Sequence, residues 1–226
     1  MSKGLAAVVV LLAMTAAADY PDPERFRPAI DAFLAADAES APPHGAVVAT
    51  GSSSMRGWHD RIAEDLAPLT IIPRGFGGSN MKDVRHFLDE LVLRHRPRAV
   101  LLYEGDNDAA AGATPEEILE HFDAIQTGIH EVLPQTRIYI LAVKPSIRRW
   151  NLWGTMSATN TMLAARAAAD PRLTFIDVAT PMLSVKGKPR AGIFLRDNLH
   201  MNDAGYDIWR DTVRPVLVTA EEVFED

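Results

Sequence analysis

Five short apolar runs, separated by longer amphipathic stretches, constrain the fold of this chain more than any other feature. The runs occupy residues 46–49, 69–72, 99–103, 138–143 and 173–178. Short apolar runs bounded by polar segments predict buried strands. Strands that alternate with helical stretches predict a parallel sheet with helices on both faces. The expected fold is therefore a three-layer α/β/α domain with a central, mostly parallel five-stranded sheet.

Helices are predicted between these strands. Apolar residues spaced three and four apart across residues 84–95 and 118–132 indicate two amphipathic helices. The second should begin with a capping box at 114–117, which has proline at the first helical position. The last helix is predicted from near Asn202 to near Pro215, because proline removes a backbone donor from a helix interior.

The first 18 residues have the layout of a secretory signal peptide. Lys3 supplies one positive charge, an apolar run extends from Gly4 to Met14, and small residues occupy positions 15–18. A transmembrane helix needs roughly 20 apolar residues, so this run predicts export without stable membrane insertion after cleavage. The exported protein would act in a periplasm or outside the cell. The alternative is a frayed hydrophobic helix at the N-terminus.

Residues 19–226 are predicted to form a single domain. Domains typically contain about 100–200 residues, and the whole chain has 226. Apolar residues at helical spacing from Phe26 to Leu34 are followed by Pro42 and Pro43. This pattern predicts a helix and linker at 19–45 that pack on the main part of the domain.

Charge and composition exclude several classes of function. Lys and Arg number 23 against 30 Asp and Glu, which gives a net charge of −7, and the absence of a basic run argues against a nucleic-acid partner. The chain has no cysteine, which excludes thiol chemistry and cysteine metal sites. It also lacks a Walker loop, an H-E-x-x-H motif and a G-x-S-x-G motif, so no metal is expected. No sequence feature indicates an oligomeric state.

Polar segments follow the first three predicted strands, and a fourth precedes the last helix. They are Gly51–Ser54, Arg74–Asn80, Gly105–Asp108 and Asp197–His200. Open α/β sheets bind ligands at the carboxyl ends of their strands. A serine in the first segment would lie at a strand-to-helix turn, where backbone N–H groups and a helix dipole favour a developing oxyanion. Serine clusters also cap helices, so this segment alone decides little.

A carboxylate stands three residues before a histidine in the fourth segment. Asp197 can accept a hydrogen bond from the His200 imidazole and leave the other ring nitrogen free to take a proton from a serine. Of the seven histidines, His200 alone has such a partner in a loop directly before a predicted helix.

The two remaining segments offer donors for an oxyanion. The glycines of Gly75–Gly78 let the backbone approach a ligand closely. Asn107 carries an amide that donates without titrating, although Gly105–Asp108 could equally form a simple turn. The glycine run does not match a dinucleotide motif, because Asn80 stands where a third glycine is needed.

In this order, the four segments resemble the SGNH (GDSL-like) hydrolase family, whose name records Ser, Gly, Asn and His in four successive blocks. The resemblance covers nearly all of residues 19–226. One departure is that Gly51-Ser52-Ser53 replaces the usual Gly-Asp-Ser, as in a subset of the family that also carries a stretch like Arg74–Gly78. Spacing from Gly51 selects Ser53 as the nucleophile in preference to Ser52 or Ser54.

The resemblance implies a flavodoxin-like fold, no cofactor, and hydrolysis of esters or thioesters by a catalytic Ser53, His200 and Asp197. It also implies an oxyanion hole formed by the N–H groups of Ser53 and Gly78 and the amide of Asn107. The expected substrate is a small-molecule or glycan ester. Candidate walls of its binding site are Trp58, Arg74, Trp150 and Trp153.

Three alternatives remain compatible with the same residues. An acyltransferase would pass the acyl group to a second hydroxyl instead of water. A lysophospholipase or thioesterase would differ only in its substrate. A catalytically silent module would use the same pocket to hold a glycan without turnover.

Overall fold

The computed structural model describes residues 18–225, and within this range the chain forms five strands and nine α-helices. The strands are β1 (Val47–Gly51), β2 (Ile71–Gly75), β3 (Ala99–Tyr103), β4 (Arg137–Leu141) and β5 (Leu173–Ile176). The helices are α1 (Arg27–Glu39), α2 (Ser53–Arg56), α3 (His59–Asp65), α4 (Met81–His86), α5 (Leu88–Leu91), α6 (Asp106–Ala110), α7 (Pro115–Val132), α8 (Trp153–Ala169) and α9 (Asp203–Glu221). Short 3₁₀ turns occupy Pro23–Phe26, Leu93–His95, Trp150–Leu152, Thr180–Met182, Ala191–Ile193 and Glu222–Phe224.

The five strands form one wholly parallel sheet in the order β2-β1-β3-β4-β5. Val47 of β1 pairs with Ile71 on one side and Ala99 on the other. The chain crosses from β1 to β2 in one direction and returns past β1 to β3 in the other, so the strand order switches between β1 and β3. The predicted three-layer, flavodoxin-like fold is confirmed.

Helices cover both faces of the sheet, and alternate strand residues face opposite layers. Val47 and Ala49 belong to the core that β1 forms with α2, α3 and α9. Val48 belongs to the core formed with α1, α4, α5, α7 and α8. Each fully buried large apolar side chain contributes about 1.5–3 kcal/mol relative to its exposed state. Burial on both faces explains why the strands appear in the sequence as continuous apolar runs.

Two helix predictions differ from the structure. The helix predicted over residues 84–95 is divided at Phe87, where φ and ψ of −100° and 25° leave the helical region. The last helix does not end near Pro215 but continues to Glu221. Leu217 and Val218 are buried beyond the proline, so packing of this last turn offsets the missing hydrogen bond. The predicted capping box at Thr114 is present, with Glu117 as its partner.

The segment before β1 packs against the main part of the domain, including α4 and the loop after β2. Ile30 of α1 is fully buried, and the rings of Phe26 and Phe76 meet edge to face at 5.1 Å. Arg25 forms an ion pair of 2.5 Å with Asp83 of α4. The predicted signal peptide lies outside the described residues except for its last position. Within 18–225, the helices lack the combined length and apolar character needed to cross a bilayer.

Candidate active site

The turn after β1 presents a single accessible serine. Ser52 and Ser54 are 0% and 1% exposed, whereas Ser53 is half-buried and begins α2. Gly51 has φ of 137°, and a Cβ added there would lie 2.0 Å from the Tyr103 carbonyl oxygen. This position therefore requires glycine, which allows β1 and β3 to stay close while the chain turns. Because α2 has only four residues, the expected dipole contribution at Ser53 is small.

His200 lies opposite Ser53, and Asp197 holds it there. The Ser53 Oγ and His200 Nε2 atoms are 3.1 Å apart, although the residues are separated by 147 positions. The Nδ1 atom of His200 lies 2.6 Å from Asp197 Oδ2. If Nδ1 donates to this carboxylate, Nε2 is left as an acceptor for the Ser53 hydroxyl.

Asp197 also organises the backbone of its own loop. Its Oδ1 accepts hydrogen bonds from the N–H groups of Leu199 at 2.9 Å and His200 at 3.0 Å. The bond from the His200 ring and these backbone donors hold the pKa of Asp197 well below its usual range. Asn198 has φ of 58°, which tightens the loop between the carboxylate and the histidine. Asp197 is thus ionised, and both of its carboxylate oxygens already accept hydrogen bonds.

The glycine segment after β2 runs beside the serine. A methyl group placed on Gly77 would lie 3.9 Å from the Cβ atom of Ser53, and Gly78 has φ of 89°. Asn107, in the first turn of α6, donates from Nδ2 to the Ser79 carbonyl at 2.7 Å. One amide hydrogen of Asn107 is used in this bond, and the other remains for a ligand. The structure thus brings the loops after β1, β2 and β3 together at the switch in strand order.

The GDSL-like lipase/acylhydrolase family model matches residues 43–208. The chain belongs to this family. Comparison with curated proteins gave no match.

Solved structures of GDSL-like and esterase proteins share the fold of this family member at low sequence identity. A GDSL-like lipase from Bacteroides thetaiotaomicron is 19% identical with a TM-score of 0.74, over 84% of this chain and 98% of that one. A lipase/acylhydrolase from Enterococcus faecalis is 18% identical with a TM-score of 0.59, over 77% and 96%. A carbohydrate esterase family 3 protein from Talaromyces cellulolyticus is 14% identical with a TM-score of 0.61, over 80% and 99%. Family membership supports ester hydrolysis in general.

An open groove of about 630 Å³ runs past Ser53 and His200 in this GDSL-like domain. Leu195 and Tyr206 contribute apolar surface to it, and Arg61 contributes a cation. The Arg61 guanidinium is already paired with Asp65 of α3 at 2.8 Å and with Asp207 of α9 at 2.7 Å. Within residues 18–225, no group of three or more His, Cys, Asp or Glu side chains is arranged to hold a metal ion.

The four residues expected to line the substrate site lie elsewhere. Trp58 is 0% exposed and donates from Nε1 to Asp65 at 2.6 Å, so it is part of the core beneath the groove. Arg74 is 6% exposed and pairs with a carboxylate of α1. Trp150 and Trp153 are partly exposed and stack on each other at 5.7 Å, and neither lines the groove.

A cluster of buried charged side chains lies below the site, and no role was predicted for it from the sequence. Glu104, Asp106 and Asp108 are at most 3% exposed, and Lys144 is 1% exposed. The available signal was the alternation of three acids directly after a fully apolar strand, and a lysine that follows an apolar run. Their burial, which follows from the tertiary fold, is what makes them notable.

Glu104 connects β3 to the glycine segment. Burial raises the pKa of Glu104 well above its usual range, so its carboxyl group keeps a proton. The hydroxyl of Ser79 lies 2.5 Å from Glu104 Oε1 and 2.9 Å from the Phe76 carbonyl oxygen. One hydroxyl hydrogen cannot serve two acceptors, and the proton on Glu104 resolves this conflict. The carboxyl group adds a hydrogen bond here without adding a negative charge beside Asn107.

Proposed function

We propose that this protein hydrolyses carboxylic esters, with Ser53 as nucleophile, His200 as general base and Asp197 as the group that orients it. One observation carries the proposal: the 3.1 Å approach of Ser53 Oγ to His200 Nε2, while His200 Nδ1 lies 2.6 Å from Asp197. A nucleophile, a base and an orienting carboxylate in hydrogen-bond reach are the requirements for covalent acyl transfer.

The reaction would take place in two steps. Ser53 Oγ attacks the acyl carbon while His200 takes the hydroxyl proton, and the tetrahedral intermediate then expels the alcohol, which receives that proton. Water attacks the acyl-serine while His200 takes its proton, and the acid leaves as His200 returns that proton to Ser53 Oγ. Backbone N–H groups of Ser53 and Gly78 and the amide of Asn107 would donate to the oxyanion in both steps.

The groove favours a small-molecule or glycan ester. Its volume of about 630 Å³ lies within the roughly 300–1,000 Å³ of small-molecule sites. Apolar surface from Leu195 lies beside polar groups at Arg61 and Asn202, a mixture that suits an acylated sugar. The carbohydrate esterase among the structural neighbours gives a second reason to test acetylated glycans.

The test uses p-nitrophenyl esters of increasing chain length, followed by acetylated glycans, with Ser53→Ala and Ser52→Ala as a matched pair. Both substitutions remove one hydroxyl from the same turn, but Ser52 is buried. We expect Ser53→Ala to lose on the order of a million-fold in kcat and Ser52→Ala to keep near-wild-type activity. Full activity in Ser53→Ala would overturn the mechanism. A wild-type protein that binds acetylated glycans without turnover would instead be the silent module.

Transfer and hydrolysis can be separated in the same assay. Both pass through the acyl-serine at Ser53, so every catalytic residue is shared. Adding an alcohol acceptor and analysing the products shows whether the acyl group goes to water. We expect free acid as the main product, and a new ester in excess would assign an acyltransferase.

We further propose that residues 1–18 direct export and that 19–226 act as one domain. The support is the order of charge, apolar run and small residues at 1–18. Expression of the full chain in a bacterial host, followed by N-terminal sequencing of protein from the periplasm and medium, tests this. A mature N-terminus at Asp19 is expected, and retention of the entire chain in the cytosol would contradict it.

A further inference from the structure

Lys144 is a buried cation placed between two loops of the candidate site. It follows β4 directly after Ala142 and Val143, and it is 1% exposed. Its Nζ donates to the Leu199 carbonyl oxygen at 2.9 Å and lies 4.0 Å from Asp106 Oδ2. Burying an ammonium group costs several kcal/mol unless it is well paired. An apolar side chain would occupy this position at lower cost, so the burial calls for a specific role.

The contact with Leu199 acts directly on His200. The peptide unit between the two residues has its carbonyl oxygen on Lys144 at 2.9 Å and its N–H on Asp197 Oδ1 at 3.0 Å. A planar peptide held at both its donor and its acceptor has a defined orientation. That orientation sets the direction in which the His200 side chain leaves the backbone, and the ring must reach Ser53 across 3.1 Å.

Asp106 anchors the other side of the lysine. It directly precedes Asn107 in α6 and is 3% exposed. Besides Lys144, it is paired with Arg149 at 3.1 Å. The buried charges therefore connect the loop that carries His200 with the helix that carries Asn107.

We propose, on the basis of the proposed esterase function, that Lys144 is a positioning residue: braced by Asp106, it holds the Leu199–His200 peptide so that the imidazole faces Ser53. It touches no reacting atom. Its effect is on the geometry of the base, and so on turnover more than on substrate binding.

The first test compares Lys144→Met with Glu221→Gln. Methionine matches the lysine chain as far as Cε and removes its donor, while Glu221 belongs to another buried charge network, at the opposite end of the sheet. We expect Lys144→Met to lower kcat about a hundredfold with KM nearly unchanged, as a misplacement of about 1 Å does. Glu221→Gln should lower the melting temperature with kcat unchanged. If Lys144→Met also keeps kcat while its melting temperature falls, the lysine is structural and the proposal is wrong.

Chemical rescue tests the ammonium group itself. The chain has no cysteine, so Lys144→Cys introduces the only thiol. Alkylating the unfolded variant with bromoethylamine and refolding it restores a side chain of lysine length with an ammonium group. Alkylation with propyl iodide gives the same length ending in a methyl group. We expect kcat to recover in the aminoethyl form and to stay about a hundredfold low in the propyl form. Equal recovery in both forms would assign only a packing role and overturn the proposal.

A readout that needs no substrate separates this proposal from the esterase assignment. The proton on His200 Nδ1 that faces Asp197 gives a downfield ¹H NMR signal when the ring is held in place. We expect this signal in wild type and in the aminoethyl form, and its loss in Lys144→Met. If the signal follows this pattern but Ser53→Ala remains active on esters, the esterase mechanism fails and the positioning role stands. An unchanged signal in Lys144→Met refutes the positioning role whatever the activity.

Discussion

Two buried charge networks, one at each end of the same sheet, differ in how fully their polar atoms are paired. At the amino end, Glu221 of α9 is 0% exposed, and both of its oxygens are saturated. Oε1 accepts from Arg137 at 2.5 Å and Tyr139 at 2.6 Å, and Oε2 accepts from Arg137 at 2.7 Å and Arg98 at 3.2 Å. These bonds join the starts of β3 and β4 to the last helix. The charge is buried, and each of its acceptors has a donor.

At the carboxyl end, the buried groups are only partly satisfied. Within residues 18–225, Oε2 of Glu104 and Oδ1 of Asp106 lack hydrogen-bond partners. Lys144 makes one direct hydrogen bond and lies 4.0 Å from its nearest carboxylate. Unsatisfied buried polar groups cost about 1–3 kcal/mol each. This end is the one that carries Ser53, Asn107 and His200.

From this difference we expect stability and function to depend on different ends of the sheet. A fully paired network at the amino end holds strands and helix together. At the carboxyl end, the loops determine how the polar side chains are oriented. Incomplete pairing of buried polar groups is typical of functional sites. Substitutions at the two ends should therefore have opposite signatures, with loss of turnover at one and loss of stability at the other.

The largest effect is expected for Asp197→Asn. The N–H groups of Leu199 and His200 require an oxygen at Oδ1, so the amide nitrogen must face the imidazole, which can then no longer donate to this side chain from Nδ1. We expect a loss of roughly ten-thousandfold in kcat, because the ring is held in the wrong tautomer. Stability should change little, and steady-state kinetics with thermal unfolding measures both.

The matched control for that substitution is Asp177→Asn. Asp177 also caps a loop at the carboxyl end, accepting from the N–H groups of Ala179 at 3.0 Å and Thr180 at 2.9 Å, with no histidine on it. The Asp177→Asn variant should keep the wild-type kcat. Equal losses in both variants would mean that Asp197 acts only by capping its loop.

Asn107→Ala should give the next largest effect. The proposed oxyanion exists only in the transition state, so a donor to it contributes to turnover and not to binding. We expect kcat to fall on the order of a hundred- to a thousandfold, with KM nearly constant. The competing role is structural, because Asn107 also donates to the Ser79 carbonyl. A lower melting temperature with normal kcat would assign Asn107 to the turn and remove it from the mechanism.

Glu221→Gln tests the other side of the comparison. Replacing the buried carboxylate leaves Arg98 and Arg137 without their full counter-charge, and loss of one partner from a buried ion pair costs about 3 kcal/mol. We expect denaturant unfolding to show a loss of this size, with kcat unchanged on the folded fraction. A fall in kcat without loss of stability would contradict the separation between the two ends.

Much of this arrangement follows from the sequence. The apolar runs locate all five strands because β1, β3 and β4 are buried on both faces, and burial of that kind leaves a continuous signal. The polar segments mark the site because parallel strands bring their carboxyl ends to one edge. The spacing from Gly51 selected Ser53, and the structure gives a physical counterpart, since Ser52 and Ser54 are buried.

The direction of individual side chains could not be predicted in this way. Trp58 follows the proposed nucleophile, Ser53, closely in the sequence, but α2 is a single turn, and the chain then directs the indole into the core. Arg74 belongs to a family-like segment but pairs with α1, which comes from a distant part of the chain. Lys144 follows an apolar run that predicted a strand, and only the tertiary fold reveals that Leu199 and Asp106 surround it. Such contacts depend on packing between layers rather than on local pattern.

The most gradual expected effect concerns the pH dependence of stability at Asp108, because it develops over several pH units. Burial raises the pKa of this carboxyl group to about 7, above its ordinary value of about 3.9. Between these values the folded protein holds a proton that the unfolded chain releases. Unfolding then releases a proton, and the free energy of unfolding falls as pH rises through this window, by up to about 1.4 kcal/mol per pH unit for one proton.

Asp108→Asn should remove this slope. The amide oxygen can still accept from Tyr20 and from the Met81 N–H, which lie 2.9 and 3.1 Å from Oδ1. His59 and His95, whose pKa values burial lowers to about 4, act in the opposite direction but equally in both proteins. The difference in unfolding free energy between variant and wild type, measured in denaturant from about pH 4 to 7, should therefore increase steadily with pH in favour of the variant. A constant difference would mean that Asp108 is ionised in the folded protein. The carboxyl end of the sheet would then bury one more negative charge beside Asn107, contrary to this prediction.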